Sequence, residues 1–81
     1  MSSLRRLSAR EVIAALGRLG FRRISQRGSH VKLARTGPQG ERQVLTVPDH
    51  TELDLGTLRA LARQTGRFVN AEDIRRIFYR D

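Results

Sequence analysis

The spacing of the apolar residues changes twice along the chain, and this restricts the fold more than any other feature. Val12, Ile13, Leu16 and Leu19 recur at three- and four-residue intervals, the stripe of an amphipathic helix, with Arg10 and Arg18 falling away from it. From His30 the period drops to two: Val31 and Leu33 share one face of a strand, and His30, Lys32 and Ala34 share the other. A β-branched run, Gln43-Val44-Leu45-Thr46-Val47, follows, and from Leu55 helical spacing returns through Leu58, Leu61 and Ala62.

Local signals place the boundaries. Ser8-Ala9-Arg10-Glu11 is a capping-box pattern that starts a helix near Ala9, and Gly20 suits its stop. The turn Arg27-Gly28-Ser29 joins two hairpin strands, Phe21 to Gln26 and His30 to Arg35, and the breakers from Thr36 to Glu41 lead into a third antiparallel strand closed by Pro48. Asp54 stands as the N-cap of a second helix running to about Thr65, and Gly66 suits a left-handed position after it. Asn70-Ala71-Glu72-Asp73 opens a short third helix carrying Ile74, Ile77 and Phe78. The order α-β-β-β-α-α predicts one α+β domain over residues 1–81, with helices on one sheet face and the other face wet. Phe21, Phe68, Phe78 and Tyr79 are assigned to core and end packing, since they do not cluster on a strand face as a base-stacking platform would.

Composition narrows the function classes. An 81-residue chain buries roughly 60% of its unfolded surface, and without cysteine the core must hold the fold unaided by disulfides or thiolate metal sites. No continuous apolar stretch reads as a secretory signal or membrane span, so a cytoplasmic location is expected. The formal charge of +8 repels itself unless a polyanion screens it, which makes nucleic acid the leading partner. Lys32 is the only lysine among the 16 basic residues; guanidinium forks grip phosphate bidentately, although genomic base composition alone also yields such a bias.

Three constellations can carry chemistry. Gly28-Ser29-His30 with Lys32 delivers an imidazole and an ammonium to the exposed sheet face. An imidazole exchanges a proton near neutral pH, RNA brings its own 2′-hydroxyl nucleophile, and Lys32 or Arg27 can oppose charge on a phosphorane-like transition state. The bland alternative is an ordinary hairpin turn. Asp49-His50-Thr51-Glu52-Leu53-Asp54 has the residue types to hold Mg²⁺ or Mn²⁺, but loop solubility and helix capping account for it as well, and His50 can instead orient the loop or assist His30. The first turn of the second helix, Gly56 and Thr57 with Arg59, offers free amides and a guanidinium to phosphate, or is a solvated helix face.

Taken together, Ser8 to Phe21, Gly28-Ser29-His30, Thr46-Val47-Pro48 with His50, and Gly56-Thr57-Leu58-Arg59 resemble, in that order, the HicA-type toxins of bacterial toxin-antitoxin pairs. The resemblance implies a double-stranded-RNA-binding-domain-like α-β-β-β-α fold with a short C-terminal helix, in agreement with the order read from periodicity. It also implies that His30 is the catalytic histidine of an mRNA-cleaving endoribonuclease with no cofactor and no metal, and that growth arrest follows. Arg27, Gly28, Ser29, Lys32, Gly56, Thr57 and Arg59 would contact RNA, with His50 auxiliary. The implied partner is a HicB-type antitoxin covering the active face in a hetero-oligomer. The stretch after Gly66 is longer than the family pattern, and Arg75-Arg76 adds charge there. Two other readings stay open: a non-catalytic RNA-binding module of the same fold, and a metal nuclease using Asp49, Glu52 and Asp54.

Overall fold

The computed structural model describes residues 3–80. Along them run β1 (Ser3–Leu4), α1 (Ala9–Arg18), β2 (Arg22–Arg27), β3 (His30–Thr36), β4 (Arg42–Pro48), α2 (Leu55–Thr65), α3 (Ala71–Phe78) and β5 (Tyr79–Arg80). Between β1 and β5 the α-β-β-β-α-α order expected from periodicity is the one observed.

Both expected caps of the sheet-covering helices form. At α1 the Glu11 amide donates to Ser8 Oγ at 3.1 Å and the Ser8 amide donates back to Glu11 Oε1 at 2.8 Å, satisfying two amides that the first turn leaves without helical partners. At α2 the Thr57 amide donates to Asp54 Oδ1 at 2.7 Å. Gly20 ends α1 with φ +100°, a backbone that other residues adopt only under strain.

Strands β2, β3 and β4 form an antiparallel sheet in that order. Val31, Leu33, Leu45 and Val47 project from one face and are buried in a single cluster with Val12 and Leu16 of α1 and Leu58 and Leu61 of α2. Each such side chain contributes about 1.5–3 kcal/mol of transfer free energy, so this layer holds the fold. Arg35, on the same face at the far end of β3, acts as a clamp. Its guanidinium donates to Leu19 O at 2.8 Å, Phe68 O at 2.9 Å and Gln43 Oε1 at 2.6 Å, and lies 4.7 Å from the centre of the Phe21 ring.

The structure departs from the sequence reading in three places. Gly66 is not left-handed: its φ is −63°, and the chain continues in helical turns with Phe68 N and Val69 N both donating to Thr65 O. A Cβ there would stand 3.2 Å from Ala62 O and 3.4 Å from Arg63 O, a tight fit that glycine avoids. The short strands β1 and β5 were not expected; they pair Ser3 with Arg80 and Leu4 with Tyr79. The first strand of the main sheet runs Arg22–Arg27 with a bulge at Ile24, leaving Phe21 buried ahead of it.

Candidate functional site

The uncovered sheet face is built from the register of its strands. In β3 Val31 and Leu33 are buried against the helices, so His30 and Lys32 point away from the helices and are exposed. His30 pairs with Arg27 on one side and with Pro48 on the other; Ser25 and Thr46 flank Lys32 in the same way. Directly cross-strand side chains start about 4.5–5.5 Å apart, and alternate residues on one strand roughly 6.6 Å apart. The Arg27 and Lys32 side chains therefore reach the space around the His30 ring.

The bulge makes this arrangement possible. Arg23 pairs with Leu33 and Ser25 with Lys32, so Ile24 is an extra residue on β2. Strict alternation from Arg22 would turn Arg27 toward the helices; the inserted residue resets the parity, and Arg22, Ile24 and Arg27 all face outward.

The turn presenting His30 is held at both of its carbonyls. Gly28 has φ +58° and Ser29 does not have a positive φ, the sign pattern of a type II′ two-residue hairpin with glycine first. Gln26 Nε2 donates to Gly28 O at 3.1 Å and to Asp49 Oδ2 at 3.2 Å, and the Asp49 amide donates to Ser29 O at 2.6 Å. Gln26 and Asp49 are thus structural neighbours of the site that motif reading did not assign to it. Their bond joins segments far apart in sequence, where no local pattern signals a contact.

The carboxylates of the acidic loop are drawn apart. Asp49 is bonded to Gln26, Glu52 pairs with Arg6 at 3.1 Å, and Asp54 caps α2. Among the described residues no group of three or more His, Cys, Asp or Glu side chains is placed to share a metal ion. The Asp54 carboxyl is held below its ordinary value by the backbone and side-chain bonds from Thr57, with a smaller contribution from the nearby His50. His50 therefore lies by the start of α2; its amide donates to Pro48 O and its carbonyl accepts from Ala9 N. At that helix start the Thr57 amide is already engaged, and a Cβ on Gly56 would lie 3.5 Å from Asp54 Oδ1. A carboxylate occupies the place where a phosphate would dock. Arg59 is exposed on α2, an element separate from the sheet face.

The structure thus groups His30, Arg27, Lys32 and the Gly28-Ser29 turn, and sets Gly56, Thr57 and Arg59 elsewhere. A family model, the HicA toxin of bacterial toxin-antitoxin systems, matches residues 9–66. The chain belongs to the HicA toxin family. Neither the comparison with curated proteins nor that with solved structures returned a match. The HicA match runs from the first residue of α1 to the glycine after α2, and includes the whole three-stranded sheet with the His30 turn. Helix α3 and the β1–β5 pair lie outside it. Membership makes the chain a toxin of the toxin-antitoxin type. No described helix is long and apolar enough to cross a membrane.

Proposed function

We propose that this toxin is an endoribonuclease that cleaves mRNA through His30, with neither a metal ion nor a bound cofactor. The observation that carries the reading is the imidazole on a hydrogen-bonded hairpin turn, with Arg27 and Lys32 beside it on a sheet face that bears no carboxylate among the described residues. In the reaction the RNA 2′-oxygen bonds to the adjacent phosphorus and the bond to the 5′-oxygen breaks, leaving a 2′,3′-cyclic phosphate and a free 5′-hydroxyl. His30 either takes the 2′-hydroxyl proton or supplies one to the departing oxygen, while Arg27 and Lys32 oppose the charge of the phosphorane. Gly28 and Ser29 fix the turn and keep its backbone close to the phosphate. Arg59 adds a peripheral phosphate contact, whereas Gly56 and Thr57 lie under the Asp54 cap.

The partner in this reading is a HicB-type antitoxin. A basic face suits an acidic protein, and covering it blocks RNA entry; release of the toxin in the cytoplasm then arrests growth through mRNA loss. The test is cleavage of single-stranded RNA by purified protein in excess EDTA. His30→Ala is expected to lower the rate at least about 100-fold, the usual scale of acid–base catalysis, with RNA binding retained. Undiminished cutting by that variant overturns the assignment to His30, and loss of the parent's activity in EDTA overturns metal independence. RNA bound but left whole by the parent identifies a non-catalytic binding module instead.

A further inference from the structure

We propose that the far end of the same sheet face is a nucleotide subsite for single-stranded RNA, with Ile24, Ala34 and Val44 as an aliphatic floor and Arg22 and Arg42 gripping the flanking phosphates. The inference rests on the reading of this face as the RNA-binding one, and assigns a role to residues outside the His30 cluster.

Arg22, Ala34 and Val44 form one cross-strand row, and Arg42 pairs with Thr36 in the row beyond. The bulge adds Ile24 to the same face, and Arg22, Ile24, Ala34, Thr36 and Arg42 line one concavity of about 510 Å3, with Val44 beside that lining as the cross-strand neighbour of Ala34. Ile24 and Val44 are large aliphatic side chains left 43% and 38% exposed on a face that no helix covers. Ala34 between them is only 7% exposed although it points outward, so it lies low as the base of a trough. Neither Arg22 nor Arg42 has a carboxylate partner among the described residues: the ion pairs of Glu52 and Glu72 are with Arg6, Arg75 and Arg76.

An apolar floor between two unpaired guanidiniums matches the alternation of a nucleic acid strand, in which a flat base face stands between charged phosphates. Guanidinium planes also stack on bases. Three aliphatic side chains make a patch far smaller than the roughly 800 Å2 per side of a standard protein interface, and of a size that one base covers. Ala34 lies four residues beyond His30, roughly 13 Å along β3. A strand with its scissile phosphate at His30 thus reaches the trough by continuing over the sheet, and a minimal substrate does not.

Binding is measured by fluorescence anisotropy with a labelled 2′-deoxy oligonucleotide that cannot be cut, and cleavage with a long RNA and with a dinucleotide substrate. Ile24→Thr with Val44→Thr leaves the charge unchanged and keeps β-branched residues at exposed sites; Arg22→Gln with Arg42→Gln removes two charges. Arg10→Gln with Arg18→Gln on α1 is the equal-charge control. Each sheet pair is expected to weaken binding of the long strand about tenfold and to raise its KM, with dinucleotide cleavage unchanged and the α1 pair changing binding less than threefold. Long-strand binding equal to the parent's in the threonine pair overturns the subsite and leaves the trough to a protein partner. A parent that binds the long strand in the trough but cuts no RNA leaves the subsite standing and overturns the catalytic reading.

Discussion

Thr65 closes α2 with its side chain fully buried, and its hydroxyl is without a hydrogen-bond partner among the described residues. A buried hydroxyl in that state costs about 1–3 kcal/mol, while a methyl of the same shape costs nothing to desolvate. Thr65→Val is therefore expected to stabilise the protein by about 1 kcal/mol, seen as a higher urea midpoint at unchanged slope. Thr65→Ser keeps the orphaned hydroxyl, loses a buried methyl and should lower the midpoint. A lower midpoint for the valine variant means that the hydroxyl has found a partner. This orphan was not legible in the sequence, where a threonine at the end of a helix is unremarkable, and neither was the Gln26–Asp49 bond that braces the turn. His30 was legible for two reasons: strand alternation set it on the face opposite Val31 and Leu33, and Gly28-Ser29 fixed the turn before it.

The helices depend on carboxylates at their starts, and this gives stability a pH dependence. Glu11 is held below its ordinary 4.5 by its bonds with Ser8, and Asp54 below its ordinary 3.8 by those from Thr57. A carboxyl whose value is depressed on folding adds stability that is fully present above its unfolded value and is lost as pH falls through its folded one. Thermal melts should therefore be flat just above pH 4.5 and fall progressively below it. Glu11→Gln and Asp54→Asn retain acceptors but do not titrate, so together they should make the acid limb shallower, the remainder belonging to Glu41 and Glu72, whose carboxyls hydrogen bonds also hold low; an unchanged limb assigns the whole loss to other groups. The same caps made the element boundaries legible, since Ser8, Asp54 and Asn70 each stand one residue before a helix. The pair β1–β5 was not, because two residues are too few to show a period. The bulge was hidden too: an extra residue in β2 is defined only by the partner strand it slips against. Gly66 misled because glycine after a helix usually marks a left-handed turn, whereas here it admits Ala62 O and Arg63 O at close range.

At the scale of the whole molecule the charge is arranged rather than merely large. Glu11, Glu41, Asp49 and Asp54 are held in caps, turns and the hairpin brace, and Glu52 and Glu72 in ion pairs on other surfaces, so among the described residues the sheet face keeps its cations without counter-charge. With a formal charge of +8 the free protein repels itself, and added salt screens that repulsion. The same salt removes the gain from releasing counterions when RNA binds, and for single strands log K falls against log[salt] with a slope of about −0.7 per phosphate neutralised. Arg22, Arg27, Lys32 and Arg42 together give a slope of about −3. Between low and moderate salt, the melting temperature of the free protein should rise while its affinity for single-stranded RNA falls. Replacing Arg22 and Arg42 by Gln should make the slope shallower by about 1.4, and replacing Arg10 and Arg18 should leave it nearly unchanged. An affinity insensitive to salt, or one equally sensitive in both double variants, means that the strand does not follow the sheet face, and the attraction is then a property of the net charge alone.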